Sequence, residues 1–204
     1  LRDRLGSHGD GLVGKPEWPG LQDPGQGSHK YVRAVYHVMK HGTAGNPDSI
    51  MSAVEDYSEK KGWLKLGAAY EKGSVLDAAL EESSQYEKPH RVLEFGTFIG
   101  YSAIRMTGIL GPNARVVTME SDPEVACLAI NNLILAGVSD RVDVWIGNGE
   151  DLVHRVRQRF GPDSVNTVYM DHNQILFHED VQRLLDLNLL SEGAVVMATQ
   201  VLKP

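Results

Sequence analysis

A glycine-rich turn beside two acidic residues is the part of this sequence best suited to chemistry. In residues 92–103, an apolar run reaches the acid Glu94, glycines follow at Gly96 and Gly100, and a helical pattern then begins. Such a turn lets backbone N–H groups approach a ligand closely, and the start of a helix favours negative charge. The segment therefore predicts a strand, a tight turn and a helix whose junction binds a ligand.

A second acidic residue ends the next predicted strand. The apolar run within residues 115–122 reaches Glu120, and an acid at this place can accept hydrogen bonds from both ribose hydroxyls of a nucleotide. A glycine turn alone is weak evidence, whereas a turn followed by a strand-end acid at this spacing predicts a nucleotide site. The alternative is that Glu94 and Glu120 are simply solvated strand ends.

Composition narrows the classes of function. The chain has 204 residues, of which 42% are hydrophobic, which is enough for one domain with a substantial core. The net charge of -7 argues against nucleic-acid binding, which needs a basic face, and no apolar run is long enough to insert into a membrane. Cys127 is the only cysteine, which excludes an intrachain disulfide, and its apolar helical surroundings predict a small core residue.

The N-terminal residues 1–27 contain seven glycines and three prolines without a sustained period, which predicts an irregular arm. Such a segment buries too little apolar surface to fold alone, so an ordered arm would lie on a protein partner. The first residue is Leu1 rather than Met. We therefore expect a soluble protein of a reducing compartment, or of an organelle after removal of a targeting peptide, and the sequence does not select between them.

Strands and helices alternate from residue 90 onwards, after three amphipathic helices. This order predicts an α/β fold: a doubly wound, three-layer parallel sheet of Rossmann-like type with strand order 3-2-1-4-5. We expect one domain over residues 28–204, with N-terminal helices in 28–89 capping the cofactor cleft of a sheet in 90–204. The predicted helices are 31–40, 49–60, 73–82, 101–110, 123–136, 150–160 and 178–187, and the predicted strands are 91–95, 115–119, 141–146, 166–170 and 193–198. Ligands of such sheets bind at the carboxyl ends of the strands, here at Glu94, Glu120, Gly147, Asp171 and Thr199.

Several motifs in this order resemble those of class I S-adenosylmethionine-dependent methyltransferases and, more narrowly, of the catechol O-methyltransferase family. The resemblance extends from about residue 29 to the end of the chain and leaves out only the arm. Its motifs are VMKHGTAGNP at 38–47, EKKGW at 59–63, EFGTFIGYS at 94–102, ME at 119–120, AGV at 136–138, Gly147 and MDH at 170–172.

The resemblance implies a role for each matching position. The cofactor would be S-adenosylmethionine. Leu66 and Gly67 would line its entrance, Glu94, Gly96, Tyr101 and Ser102 would hold the methionine portion, and Glu120 would bind the ribose. Gly149, Glu150 and His172 would surround the adenine, and Gly100 and Gly147 would also bind the cofactor. Trp63 would form a wall of the substrate pocket, although it could equally be a core residue. His172 could be a structural histidine. Acidic residues suit this cofactor because it carries both an ammonium and a sulfonium group.

The sequence departs from the family where the family binds magnesium and removes a proton. The resemblance implies two aspartates and an asparagine as metal ligands and a lysine as base. Asp171 matches the first ligand, but Thr199 and Gln200 stand where an Asp-Asn pair is expected, and Gln174 stands at the lysine position. Mg²⁺ binding is therefore doubtful, with Asp171 as the residual ligand and Thr199 and Gln200 as weak ones, and no catalytic residue is assigned.

Two functions remain open from the sequence. The first is an O-methyltransferase of catechol type that transfers a methyl group to a small-molecule hydroxyl with degraded metal-dependent catalysis. The second is a non-catalytic pseudoenzyme, an accessory subunit of a larger protein assembly. It would dock through residues 1–27 and through the edge of the last strand, because the resemblance implies two further strands after residue 198 and only a few residues follow here. The alternative is that the sequence is truncated at Pro204.

Overall fold

A computed structural model describes residues 21–61, 71–83 and 90–199. The predictions made for Trp63, Leu66, Gly67 and Gln200 lie outside these ranges, as does most of the predicted arm. In the described part of the chain, the elements are α1 (Lys30–His41), α2 (Pro47–Lys61), α3 (Glu71–Ser83), β1 (Arg91–Phe95), α4 (Tyr101–Ile109), β2 (Arg115–Glu120), α5 (Pro123–Ala136), β3 (Val142–Ile146), α6 (Gly149–Phe160), β4 (Val165–Met170), α7 (Phe177–Asp186) and β5 (Leu190–Ala198).

The sheet is parallel, with strand order β3-β2-β1-β4-β5, which confirms the predicted fold class and strand order. Strand β1 lies at the centre, so its carboxyl end meets those of both neighbours. In the register, Glu94 pairs with Thr118 of β2 and with Tyr169 of β4. Because paired residues in adjacent strands share a face of the sheet, these three side chains project to the same side.

Alternate residues of the strands enter two separate cores. Val92 belongs to a core shared with α1 to α5, whereas Leu93 and Phe95 belong to a core shared with α6 and α7. Both faces of the sheet are therefore covered by helices, which explains why nearly every residue of β1 and β4 is buried rather than every second one. Glu94 interrupts this pattern on the first face although it is fully buried.

In helix α5, the predicted N-cap agrees with the structure, whereas the predicted buried side does not. Asp122 is its N-cap, as predicted, and accepts hydrogen bonds from the backbone N–H groups of Glu124 and Val125. The prediction that Cys127 is a core residue is wrong, since Cys127 is exposed. Apolar residues also occupy the outer face of this helix, where Ile134 is 59% exposed, so periodicity could not identify the buried side.

A short 3₁₀ helix, Gln174–Leu176, precedes α7 and was not predicted. Asn173 caps it by accepting a hydrogen bond from the Ile175 backbone N–H. Among the described residues, no helix combines the length and the apolar character that crossing a bilayer requires.

Candidate active site

The turn after β1 joins the carboxyl ends of three strands. The backbone N–H groups of Gly96 and Thr97 both donate to the carbonyl oxygen of Met119 on β2. On the other side, a Cβ placed on Gly96 would lie 2.8 Å from the carbonyl oxygen of Asp171, which follows β4. Gly96 and Gly100 have φ of +93° and +83°, values that only glycine adopts readily. The predicted turn glycines thus allow the strands to converge.

The side chain of Glu94 contacts the first turn of α4. It is fully buried, and the hydroxyl of Ser102 donates a hydrogen bond to its Oε1. The neighbouring Tyr169, also buried, projects from the same face of the sheet, and its phenol is hydrogen-bonded to Asp171. Burial raises the pKa of Tyr169 well above its usual value, and the carboxylates of Asp171 and Glu94 raise it further. The phenol therefore keeps its proton and acts as a donor beside these carboxylates.

Glu120 is fixed on the other side of the same turn. Its Oε2 accepts a hydrogen bond from the Phe98 backbone N–H at 2.9 Å, and its Oε1 accepts one from the Asp122 backbone N–H at 3.0 Å. A carboxylate has about four acceptor positions, so each oxygen can accept a further hydrogen bond. Glu94 and Glu120 consequently flank one glycine turn, and Glu120 presents an oriented pair of acceptors.

A cavity of about 440 Å³ opens between this turn, α3 and the end of β4. The cavity is lined by Gly73, Leu76, Gly96, Thr97, Phe98, Tyr101, Ser102, Arg105, Tyr169 and Asp171. Four of the predicted site residues, Gly96, Tyr101, Ser102 and Asp171, therefore share this cavity.

Tyr101 and Arg105 connect the cavity to the N-terminal helices. The phenol of Tyr101 donates to Glu55 on α2, and its pKa is raised by burial and by this glutamate. Arg105 donates from Nε and Nη2 to the two carboxylate oxygens of Asp77 on α3, at 2.7 and 2.6 Å, and from Nη1 to the Tyr101 oxygen at 3.3 Å. Both side chains are thus occupied in joining α2 and α3 to α4.

The remaining predicted cofactor residues lie on the opposite face of the sheet. His172 stacks on Phe95, with ring centroids 5.2 Å apart, and a Cβ placed on Gly149 would lie 2.7 Å from Phe95 Cε1. Gly147 follows β3 and donates its backbone N–H to the carbonyl oxygen of Glu120. Glu150 is exposed on the first turn of α6.

The predicted metal ligands are engaged with each other. Thr199 Oγ1 donates to Asp171 Oδ1 at 2.5 Å. Within residues 21–61, 71–83 and 90–199, no group of three or more His, Cys, Asp or Glu side chains is arranged to hold a metal ion. Gln174, at the position where the resemblance implies a base, is exposed in the 3₁₀ helix. The Asp171 carboxylate and the Thr199 hydroxyl that is hydrogen-bonded to it are a poor donor set for Mg²⁺, which prefers several hard oxygen ligands.

Sequence reasoning missed three residues at this site: Tyr169, Arg105 and Asp180. Tyr169 could have been found, because it lies two positions before Asp171 at the carboxyl end of β4. Arg105 lies one helical turn after Tyr101 and could have been placed beside it in the same way. Asp180, whose Oδ2 lies 2.8 Å from His172 Nε2, has no comparable signal for its burial, because tertiary packing rather than a local pattern brings α7 against His172.

A model of the O-methyltransferase family matches residues 42–203, which is most of the chain and includes the turn, both glutamates and Asp171. The chain belongs to the O-methyltransferase family. Among its relatives in this family, catechol O-methyltransferase from Bos taurus is 34% identical over 178 residues, covering 87% of this chain and 64% of that protein. The Mus musculus enzyme of the same name is 35% identical over 179 residues, covering 87% of this chain and 65% of that protein.

Solved structures of this family share the fold. The O-methyltransferase TomG from Streptomyces achromogenes, in complex with SAM, is 28% identical, has a TM-score of 0.59, and is matched over 72% of this chain and 63% of its own. An O-methyltransferase from Bacillus cereus in complex with SAH is 21% identical with the same TM-score of 0.59, and covers 72% of this chain and 64% of its own. The chain spans a little under two thirds of the length of the catechol O-methyltransferases that it matches.

Proposed function

We propose that this O-methyltransferase family member binds S-adenosylmethionine and transfers its methyl group to the hydroxyl of a small molecule, as enzymes of catechol type do. The observation that carries the proposal is the placement of Glu94 and Glu120 on either side of one glycine turn, beside a cavity of about 440 Å³. The names of the cattle and mouse relatives, and the SAM bound to TomG, support the same function.

The residues present fit this cofactor. Glu94 is a buried carboxylate, and a cationic ligand such as the ammonium of the methionine moiety would offset the cost of burying it. Ser102 orients Glu94, and Glu120, already fixed by two backbone N–H groups, would accept hydrogen bonds from ribose hydroxyls. When bound, S-adenosylmethionine supplies an electrophilic methyl group on a positively charged sulfur. The chain's contribution is to bind, orient and shield it from water.

We propose further that the metal-dependent part of the family's catalysis is degraded. Asp171 and Thr199 fit Mg²⁺ poorly, because the second carboxylate of the implied ligand set is replaced by a hydroxyl that bonds to Asp171. Gln174 cannot accept a proton at neutral pH, and loss of general-base catalysis typically lowers a rate by about 10²–10⁴-fold. Methylation of a catechol in the presence of Mg²⁺ should therefore stay near background.

Calorimetry with S-adenosylhomocysteine tests the binding proposal. Replacing Glu120 with alanine should weaken binding by about tenfold or more, because a charge-assisted acceptor for the ribose is lost. Glu124→Ala is the matched control, since Glu124 is exposed in the first turn of α5, and its affinity should equal that of the unmodified chain. Thermal melts of all three proteins check that each is folded.

The outcomes separate the two candidate functions. No binding by the unmodified chain, or equal binding by Glu120→Ala, would contradict the cofactor proposal. Binding without transfer of a radiolabelled methyl group to any catechol or related phenol would favour the non-catalytic accessory subunit. Robust Mg²⁺-dependent turnover would show that the proposed degradation is wrong.

A further inference from the structure

Asp180, on helix α7, is a buried acid beside the proposed adenine site. Its side chain is only 2% exposed. Its Oδ2 lies 2.8 Å from Nε2 of His172, and its Oδ1 accepts a hydrogen bond from Arg183 Nη1 at 2.8 Å. Burying a carboxylate is costly unless it is paired and hydrogen-bonded, so both contacts are needed to keep Asp180 in this position.

His172 is held by this acid and by two aromatic rings. Its ring stacks on Phe95 at 5.2 Å between centroids and contacts Phe177 at 5.0 Å. His172 Nδ1 is buried and has no hydrogen-bond partner among the described residues, whereas Nε2 faces the Asp180 carboxylate. The ring hydrogen therefore belongs on Nε2, where an acceptor is present. Asp180 thus fixes both the orientation and the tautomer of His172.

The start of α6 packs against the same carboxylate. A Cβ on Gly149 would lie 2.8 Å from Asp180 Oδ1 and 2.7 Å from Phe95 Cε1, so the Gly149 backbone lies directly on these two side chains. Gly149 begins helix α6 after β3, whereas His172 lies in the loop after β4. Phe95 and Asp180 lie against both, and Asp180 is the one that pairs with His172 through a polar contact.

We propose that Asp180, supported by Arg183, is a positioning residue for the nucleobase of the cofactor. It holds His172 and the start of α6 at the spacing that the base requires, and it does so through these neighbours rather than by touching the ligand. This inference rests on the proposed function, because it takes from the family resemblance that His172 and Gly149 surround the adenine of the bound cofactor.

Asp180→Asn tests the role with little change of shape. If the amide oxygen keeps the bond to Arg183, its NH₂ group faces His172 Nε2, and the ring hydrogen must move to Nδ1. Nitrogen-15 NMR of histidine-labelled protein should show this move. Affinity for S-adenosylhomocysteine, measured by calorimetry, should fall by about tenfold. Asp186→Asn is the matched control, because Asp186 is an exposed aspartate on the same helix that also accepts a side-chain hydrogen bond.

A double-mutant cycle shows whether Asp180 acts through His172. The loss of affinity in Asp180→Asn combined with His172→Ala should be smaller than the sum of the two single losses, because part of the Asp180 effect passes through His172. If Asp180→Asn does not fold, Arg183→Gln replaces it, with a loss of about threefold expected because the carboxylate keeps His172 but loses its second partner.

Three results would overturn the role: unchanged affinity in Asp180→Asn, or in Arg183→Gln where that variant replaces it; additive losses in the cycle; or a ring hydrogen that stays on Nε2. Absence of S-adenosylhomocysteine binding by the unmodified chain would overturn the proposed function, and this role with it. Unchanged affinity in Asp180→Asn, when the unmodified chain does bind, would overturn the positioning role of Asp180 but not the proposed function.

Discussion

Gly96 occupies a position where a side chain meets two obstacles. Its φ of +93° strains any L-residue, and a Cβ would lie 2.8 Å from the backbone carbonyl of Asp171. The second obstacle is a main-chain atom, which cannot rotate away as a flexible side chain can. A substitution at Gly96 therefore has to move the loop after β4, and Asp171 and His172 with it.

Gly96→Ala should lower the free energy of unfolding by about 1–3 kcal/mol, the usual cost of backbone strain at such a position. Gly108→Ala is the matched control within the same strand–turn–helix segment. Gly108 lies in α4 with nothing within 4 Å of its Cβ position, so alanine there should stabilise by roughly 0.5–1 kcal/mol through helix propensity. Urea unfolding of the three proteins measures both values. Equal stability of Gly96→Ala and the parent would show that the turn tolerates a side chain.

Single residues differ in how far the sequence predicts them. Glu94 and Glu120 could be placed at neighbouring strand ends because apolar runs mark the strands and parallel pairing brings their ends together. Asp180 could not, because its burial depends on His172 and Gly149, which reach it only through tertiary packing. A buried acid looks the same in the sequence as a solvated acid on a helix.

At the scale of elements, α3 is joined to α4 by the pair of Asp77 and Arg105. The guanidinium side chain is 10% exposed and the carboxylate 31% exposed, and two hydrogen bonds connect them. The Asp77 contact raises the pKa of Arg105, so the arginine stays charged. Removal of Asp77 would leave that charge largely buried beside the cavity.

Asp77→Asn should therefore lower the free energy of unfolding by about 2–4 kcal/mol, close to the cost of breaking a buried pair. Asp143→Asn is a matched control, since Asp143 pairs with Arg159 at 3.3 Å between two elements while both side chains are about half exposed. Its cost should stay under about 1 kcal/mol. Thermal and urea unfolding compare the variants, and similar losses in both would refute the argument from burial.

Most elements follow from local patterns, and the exceptions have physical causes. The predicted strand 91–95 is β1 (Arg91–Phe95), and the predicted helix 123–136 is α5 (Pro123–Ala136), because capping and apolar runs define their ends. The 3₁₀ helix Gln174–Leu176 was missed because three residues are too few to show a period. The exposed side of α5 was missed because the helix is apolar on both faces.

At the scale of the whole molecule, a polar cluster lies at the amino end of the sheet, opposite the cavity. His90 Nε2 lies 3.0 Å from Thr167 Oγ1 and 3.3 Å from Ser83 Oγ, which joins β4 and the end of α3. Burial lowers the pKa of His90 below its usual value. The neutral ring is therefore favoured in the folded protein and less so in the unfolded chain.

Acidification should consequently destabilise the fold. The unfolded chain binds more protons as the pH falls below about 6.5, so the stability that the neutral His90 contributes is present above that pH and lost below it. In His90→Asn, the free energy of unfolding should be lower at neutral pH but should fall less steeply between about pH 7 and pH 5. Ser83→Ala, which removes a neighbouring hydroxyl but keeps the imidazole, should retain the steeper slope. Identical slopes in His90→Asn and the parent would show that His90 does not contribute.

The hydrogen bond between Tyr101 and Glu55 has a consequence for control of the site. Tyr101 is the first residue of α4, and the next residue, Ser102, donates a hydrogen bond to Glu94. Two adjacent residues of α4 therefore connect Glu55 on α2 to the buried carboxylate of Glu94. Coupling of this kind is reciprocal: a ligand that fixes the start of α4 also steadies α2, and a molecule that steadies α2 tightens the hold on the ligand. We therefore expect that a molecule which binds α2 and fixes Glu55 would change the affinity of the chain for its cofactor.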